Sequence, residues 1–238
     1  MIEINRALVP AASDGKPSAL VLSAPGPTID PHAREVPMAG QSDSSTASSG
    51  GPPRVRIFVA LKMAPEIADQ LAQMALELER FPVRLIAPAD IHLTLVPPWN
   101  EVSMPDAVVK LHGVADRFGE FVLKFRHVGY GPEPGRPRLL WAECDAGPEL
   151  ARLRATLLLT FGQSDERPFR PHVTLARLRG NGASIARKCP VDRALALTQR
   201  VGSVELMQSP APGESGYKML ASLQLGADPD FSERAGCL

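Results

Sequence analysis

"IHLTLVPPW" (residues 91–99) and "RPHVTLARL" (170–178) share the pattern His-x-Thr-Leu, in a chain of 238 residues that has only five histidines. Both stretches are rich in β-branched and aliphatic residues, which predicts strands. On a strand, side chains alternate between faces and each residue advances about 3.3 Å. His92 and Thr94 therefore share one face, with Leu93 and Leu95 turned to a core. His172 and Thr174 do the same against Val173 and Leu175.

The surroundings of the two motifs also repeat. "RIFVALKMAPEIADQL" starts at Arg56 and "RLLWAECDAGPELARL" at Arg138, so a strand followed by a Pro-Glu-Ile/Leu-Ala helix start recurs about 82 residues later. The His-x-Thr-Leu strands follow at an offset of 80. A single repetition at this period is no solenoid. It predicts an α+β, bilobal duplicated fold: two antiparallel sheets flanked by helices around a central cleft, each lobe supplying one motif. In the first lobe Ile67, Leu71, Met74 and Leu78 recur at helical spacing, predicting one helix over 65–80. Another helix is expected around 104–117 and a strand at 121–128, and strands at 201–208 and 216–225 are expected to complete the second lobe.

Residues 1–53 hold 8 Pro, 5 Gly and 8 Ser, a composition too poor in apolar surface to offset its ordering entropy. They are read as a disordered extension, 54–226 as the bilobal domain, and 227–238 as a flexible tail. Formal charge is zero overall, so no global field points to nucleic acid or a membrane. Residues 54–226 nevertheless carry 22 basic against 18 acidic residues, and 160–200 carry 8 against 3. A local positive field of that kind suits an anionic ligand. The three cysteines (Cys144, Cys189, Cys237) show no paired spacing, which predicts a reducing, cytoplasmic setting. No apolar run approaches the length of a membrane span. A monomer is expected.

Imidazole is the side chain best matched to proton transfer near neutral pH. One neutral and one protonated ring form an acid–base couple that can work in line at phosphorus, and threonine hydroxyls can hold phosphate oxygens. Arg177 lies five residues after His172, an odd offset. It reaches the same face only if the strand ends or twists first; its guanidinium could then hold a phosphate oxygen. Neither motif has metal-ligand spacing, so no metal and no cofactor are expected. His32, His112 and His127 are read as structural. Trp99 is a candidate base contact at the mouth of the cleft, against a plainer role capping the core; Tyr217 is read as packing.

At "IHLTL" and "FRPHVTLAR" the chain resembles the 2H phosphoesterase superfamily, in its RNA 2′,3′-cyclic phosphodiesterase branch, the LigT-type 2′-5′ RNA ligases. The likeness runs from about Arg54 to Gly226. It implies metal-independent hydrolysis of RNA 2′,3′-cyclic phosphate ends to a 2′-phosphomonoester. His92 would donate a proton to the leaving oxygen and His172 accept one from water, with Thr94, Thr174 and Arg177 on the phosphate. The residues alone do not say which histidine is the acid. One departure follows the first motif: Val96-Pro97-Pro98-Trp99 stand where the family continues with a pattern such as Arg-Phe-Leu-Gly. The prolines predict a sharp end to the strand and the loss of a basic residue there. Two alternatives remain at this point: a cyclic phosphodiesterase of small nucleotides, and a non-catalytic module that binds phosphorylated RNA ends.

Overall fold

The computed structural model describes residues 54–226 apart from Pro134 and Pro212. The expected extension (1–53) and tail (227–238) lie outside the described residues. The first strand, β1 (Val55–Lys62), is buried along most of its length. Its alternate residues serve two different apolar clusters. Ile57, Val59 and Leu61 enter the main core, whereas Phe58 and Ala60 join Met207, with Tyr217 packed against them, on the other face. Such a strand, covered on both faces, reads as continuous hydrophobicity rather than alternation.

The remaining strands are β2 (Val83–Leu85), β3 (His92–Glu101), β4 (Phe121–Gly131), β5 (Leu139–Cys144), β6 (His172–Leu178), β7 (Asp192–Val201), β8 (Ser203–Gln208) and β9 (Lys218–Gln224). The helices are α1 (Pro65–Gln73), α2 (Met104–Ala115), α3 (Pro148–Thr160) and α4 (Gly182–Lys188). The sequence predicts two sheets; hydrogen bonding instead runs through one antiparallel sheet ordered β7-β4-β5-β6-β3-β1-β8-β9, with β2 paired to β6. Its centre is narrow. β3 and β6 share the single register pair Leu93↔Val173, after which β6 takes β2 as its neighbour through Ala176–Leu178.

Three expectations change for stated reasons. The strands after residue 200 do not complete the half that holds β6. β8 pairs with β1 and β9 with β8, while β4 and β7 flank β5. The helix expected over 65–80 stops at Gln73 and gives way to a 3-10 turn at Leu76–Leu78. That turn buries Leu78 completely and leaves Leu76 exposed, so packing overrides a helical periodicity that no Gly or Pro interrupts. The prolines do not end β3, which continues to Glu101. Val96 pairs with Val59 and Trp99 with Ile57, so Pro97 and Pro98 both stand opposite Phe58 in a bulge, where a missing N–H breaks no regular rung.

β7 is tied to the end of β1 by one side chain. Gln199 on β7 is buried; its amide oxygen accepts the Ala64 N–H at 3.0 Å, and its amide nitrogen donates to the Lys62 carbonyl at 2.9 Å. One side chain thereby closes the backbone between β1 and α1. Gln199→Leu leaves both backbone groups without a partner and is expected to cost about 1–3 kcal/mol. A fall in the urea midpoint at unchanged slope would register this.

Candidate functional site

The two motifs fall on the two central strands. With Leu93 opposite Val173, antiparallel geometry brings His92 level with Thr174, and Thr94 level with His172. The two imidazoles then stand diagonally across neighbouring strands, with Cα atoms about 7–8 Å apart. Leu93 and Val173 point into the main core, so the two histidines and two threonines share the opposite face. Among the described residues neither threonine hydroxyl is committed to a protein partner.

Each ring is locked in the same way. His92 Nδ1 donates to the Asp90 carbonyl and His172 Nδ1 to the Arg170 carbonyl, both at 2.7 Å. A carbonyl only accepts, so Nδ1 carries the hydrogen in both rings and Nε2 is the nitrogen left for chemistry. The supports differ. His92 lies between aromatic rings, with Phe58 at 5.0 Å and Tyr217 at 4.8 Å. Tyr217 does pack, and what it packs on is His92; its backbone N–H also donates to Asp90 Oδ1 at 3.1 Å. His172 rests on Trp141 at 4.3 Å. The Trp141 indole in turn lies over Gly131, where a Cβ would come within 2.2 Å of it. Arg170 covers the same indole with its guanidinium at 5.0 Å, donating to Glu143 at 2.7 Å and to the Pro132 carbonyl at 3.2 Å.

Burial dominates the acid–base behaviour of both rings. It holds His92 below the ordinary imidazole value, opposed by the bond to the Asp90 carbonyl and by the Asp90 charge. The Arg177 and His172 charges push His92 further down. Burial also lowers His172, against the Arg170 carbonyl; the charge of Arg170 lowers it too, and Glu143, directly across the ladder, raises it. Charged rings are disfavoured here until an anion arrives.

The odd offset of Arg177 is resolved by a bulge. Leu140 pairs with Ala176 and Trp141 with Thr174, so Leu175 is an extra residue on β6. Leu175 and Ala176 both turn to the core, and Arg177 comes back into phase with His172 and Thr174, exposed. Phase is reset by one inserted residue, as a bulge does. The first motif has the same device: Thr94 pairs with Ala60 and Val96 with Val59, leaving Leu95 extra. Val96, where the resemblance led to expect a basic residue, is fully buried.

Trp99 stands elsewhere. It is the ladder partner of Ile57, on the core side of the sheet, tilted against Phe161 at 4.9 Å with its indole N–H on Glu101. This is the core-capping arrangement, and the base contact expected of it has no support in its placement. His112 pairs with Asp116 on the α2 surface and His127 with Asp192 across β4 and β7; neither joins the motif face. Among the described residues no group of three or more His, Cys, Asp or Glu gathers where one ion could be held, and no helix is long and apolar enough to cross a membrane. Sequence reasoning missed Phe58, Trp141, Glu143 and Arg170. Only the ladder register brings the first three beside the histidines, but Arg170 had a signal: it stands two residues before His172, as Asp90 does before His92.

Residues 87–210 match the 2′-5′ RNA ligase superfamily. The chain is 35% identical over 131 residues to an RNA 2′,3′-cyclic phosphodiesterase of Aeropyrum pernix, covering 52% of this chain and 70% of that protein. It is 28% identical over 141 residues to one of Archaeoglobus fulgidus, covering 56% and 77%. The crystal structure of TT0787 of Thermus thermophilus superposes with a TM-score of 0.62 at 25% identity, over 73% of this chain and 99% of that one. E. coli LigT complexed with NADP+ superposes at 0.58, also at 25% identity, with 73% and 99% coverage.

The lowered histidines have a consequence for stability. Both bind protons less readily folded than unfolded, so below the unfolded value of about 6.5 the unfolded chain holds more protons and stability rises with pH. Above about 6.5 the contribution is complete; it is lost as pH falls toward the folded-state values. Asp165, lowered chiefly by Arg167, and Glu101, lowered chiefly by the Trp99 N–H, act in a more acid window. A His92→Gln/His172→Gln double variant is expected to flatten the slope of unfolding free energy just below about pH 6.5. An unchanged slope in denaturant titrations across that range would contradict the assignment.

Proposed function

The chain belongs to the 2′-5′ RNA ligase superfamily and is an enzyme of it, a phosphodiesterase; we propose that it hydrolyses RNA 2′,3′-cyclic phosphate ends to 2′-phosphomonoesters with His92 and His172 as its proton-transfer pair, without a metal ion. The observation that carries this reading is the Leu93↔Val173 register, which sets two imidazoles and two free hydroxyls on one face. Water attacks phosphorus opposite the 3′ oxygen. His172 Nε2 takes a proton from that water while His92 Nε2 gives one to the departing 3′ oxygen. The P–O3′ bond breaks as the new P–O bond forms, leaving a 2′-phosphate and a free 3′ hydroxyl. Thr94, Thr174 and Arg177 hold the non-bridging oxygens and offset their growing charge.

The division of roles follows the family resemblance, and the surroundings favour it. Glu143, opposite His172, steadies the imidazolium that forms when that ring accepts a proton. The groups left uncommitted at the centre, two Nε2 atoms and two hydroxyls, suit proton transfer better than a hard divalent cation, since the neighbouring Glu143 carboxylate is bonded to Arg170. We also read the strand order as a duplication: β3-β1-β8-β9 and β6-β5-β4-β7 run outward from the centre in matching roles.

His92→Ala and His172→Ala are each expected to lower kcat by about 10²–10⁴-fold with the unfolding midpoint near that of the parent. Full activity in either would end the two-histidine assignment. Using an oligonucleotide ending in a 2′,3′-cyclic phosphate, the product should carry phosphate on the 2′ oxygen, and EDTA should leave the rate unchanged. With both rings lowered by burial, the bell of kcat/KM against pH should centre below about 6.5. The kcat profile should lie higher, because bound phosphate favours the charged rings.

A further inference from the structure

The short strand β2 has a role in this site that its length conceals. Its register on β6 is Val83↔Leu178, Arg84↔Arg177 and Leu85↔Ala176. Val83, Leu85, Ala176 and Leu178 all pack into or against the main core. Arg84 and Arg177 therefore stand on the opposite face, the one that bears His172 and Thr174, and both are exposed. Like charges directly opposite one another on neighbouring strands, with Cβ atoms about 4.5–5.5 Å apart, repel and destabilise the pair.

Arg154 and Arg167 are neutralised by Asp165, Arg170 by Glu143 and Arg193 by Glu77, whereas the exposed Arg138 and Arg179, which flank this pair, have no carboxylate partner among the described residues and extend its positive field. Among the described residues Arg84 and Arg177 have neither a carboxylate partner nor a side-chain hydrogen bond. Beside β6, β2 occupies the place that β3 leaves beyond Leu93, so Arg84 lies on the same side of β6 as His92 and Thr94, a few residues further along. The unneutralised Arg84 fork, directly beside that of Arg177, can take the oxygens of a phosphate next to the one Arg177 holds.

One phosphate is already accounted for by the histidines, threonines and Arg177. We infer that Arg84, acting beside Arg177, forms a second anion position that takes the phosphodiester adjacent to the cyclic phosphate, and so selects an RNA chain end over a cyclic mononucleotide. This rests on the reaction proposed above and adds a residue that selects its substrate. Arg84 touches the substrate away from the reacting atoms, so it acts on specificity.

The test compares kcat/KM on a 2′,3′-cyclic mononucleotide, which has one phosphate, with that on a dinucleotide ending in a 2′,3′-cyclic phosphate, which has two. The parent enzyme should favour the dinucleotide by about tenfold or more, as expected for a charged hydrogen bond. In Arg84→Gln that advantage should fall by about tenfold. The slope of log kcat/KM against log salt on the dinucleotide should become shallower by about 0.7, one phosphate contact on a single strand. Arg84→Lys, which keeps the charge without the fork, should retain most of the salt slope and only part of the advantage. An equal advantage in parent and Arg84→Gln, or an equal loss on both substrates, would overturn the second position. No turnover of either substrate by the parent would instead overturn the reaction itself.

Discussion

The meeting of β3 with β6 is the constraint on which the rest depends, and it consists of one register pair, Leu93 opposite Val173. Both side chains are completely buried. A slip of one residue in either strand would turn its leucine or valine out of the core and its histidine into it. The apolar core therefore fixes the relative position of two polar groups that do not touch it. The site inherits its geometry from packing on the far side of the sheet, where α1, α2 and α3 contribute Leu71, Leu111 and Leu153 to the same cluster.

Bulges do the second part of the work. A flat strand with strict alternation would present His172 and Thr174 on one face and Arg177 on the other. The extra residue at Leu175 resets the phase, and the matching one at Leu95 lets β3 pass into a segment with two prolines without losing its place beside β1. Each bulge removes a regular rung from the ladder. What the bulge at Leu175 provides is the charged Arg177 on the face of His172 and Thr174, where alternation would have placed Ala176.

The two rings illustrate how similar backbone geometry can support different partners. Both give Nδ1–H to a carbonyl two residues upstream, a local device that fixes the tautomer before any tertiary contact is considered. Beyond that, one is enclosed by Phe58 and Tyr217 and the other by Trp141, Arg170 and Glu143. The apolar enclosure and the charged one both lower the ring's affinity for protons, because burial outweighs the neighbouring carbonyls and charges in each. Only the second has a carboxylate directly across the ladder.

The amino-acid sequence by itself determined the strands that carry the motifs, which side of each is polar, and the recurrence of a strand–helix–strand unit. These follow from local alternation, proline placement and helical spacing, which any reader of the chain can apply. It also located Arg177 and posed its phase as a condition. What only the tertiary structure decided was which strands pair: that β8 and β9 close onto β1, that one sheet forms where two were expected, and that the helix after Pro65 stops at Gln73. Tertiary structure likewise placed Trp99 on the core side, and set Arg84 opposite Arg177. Pairing partners lie tens to more than a hundred residues apart, and their register is chosen by how well the whole core fills, a quantity that no local stretch contains.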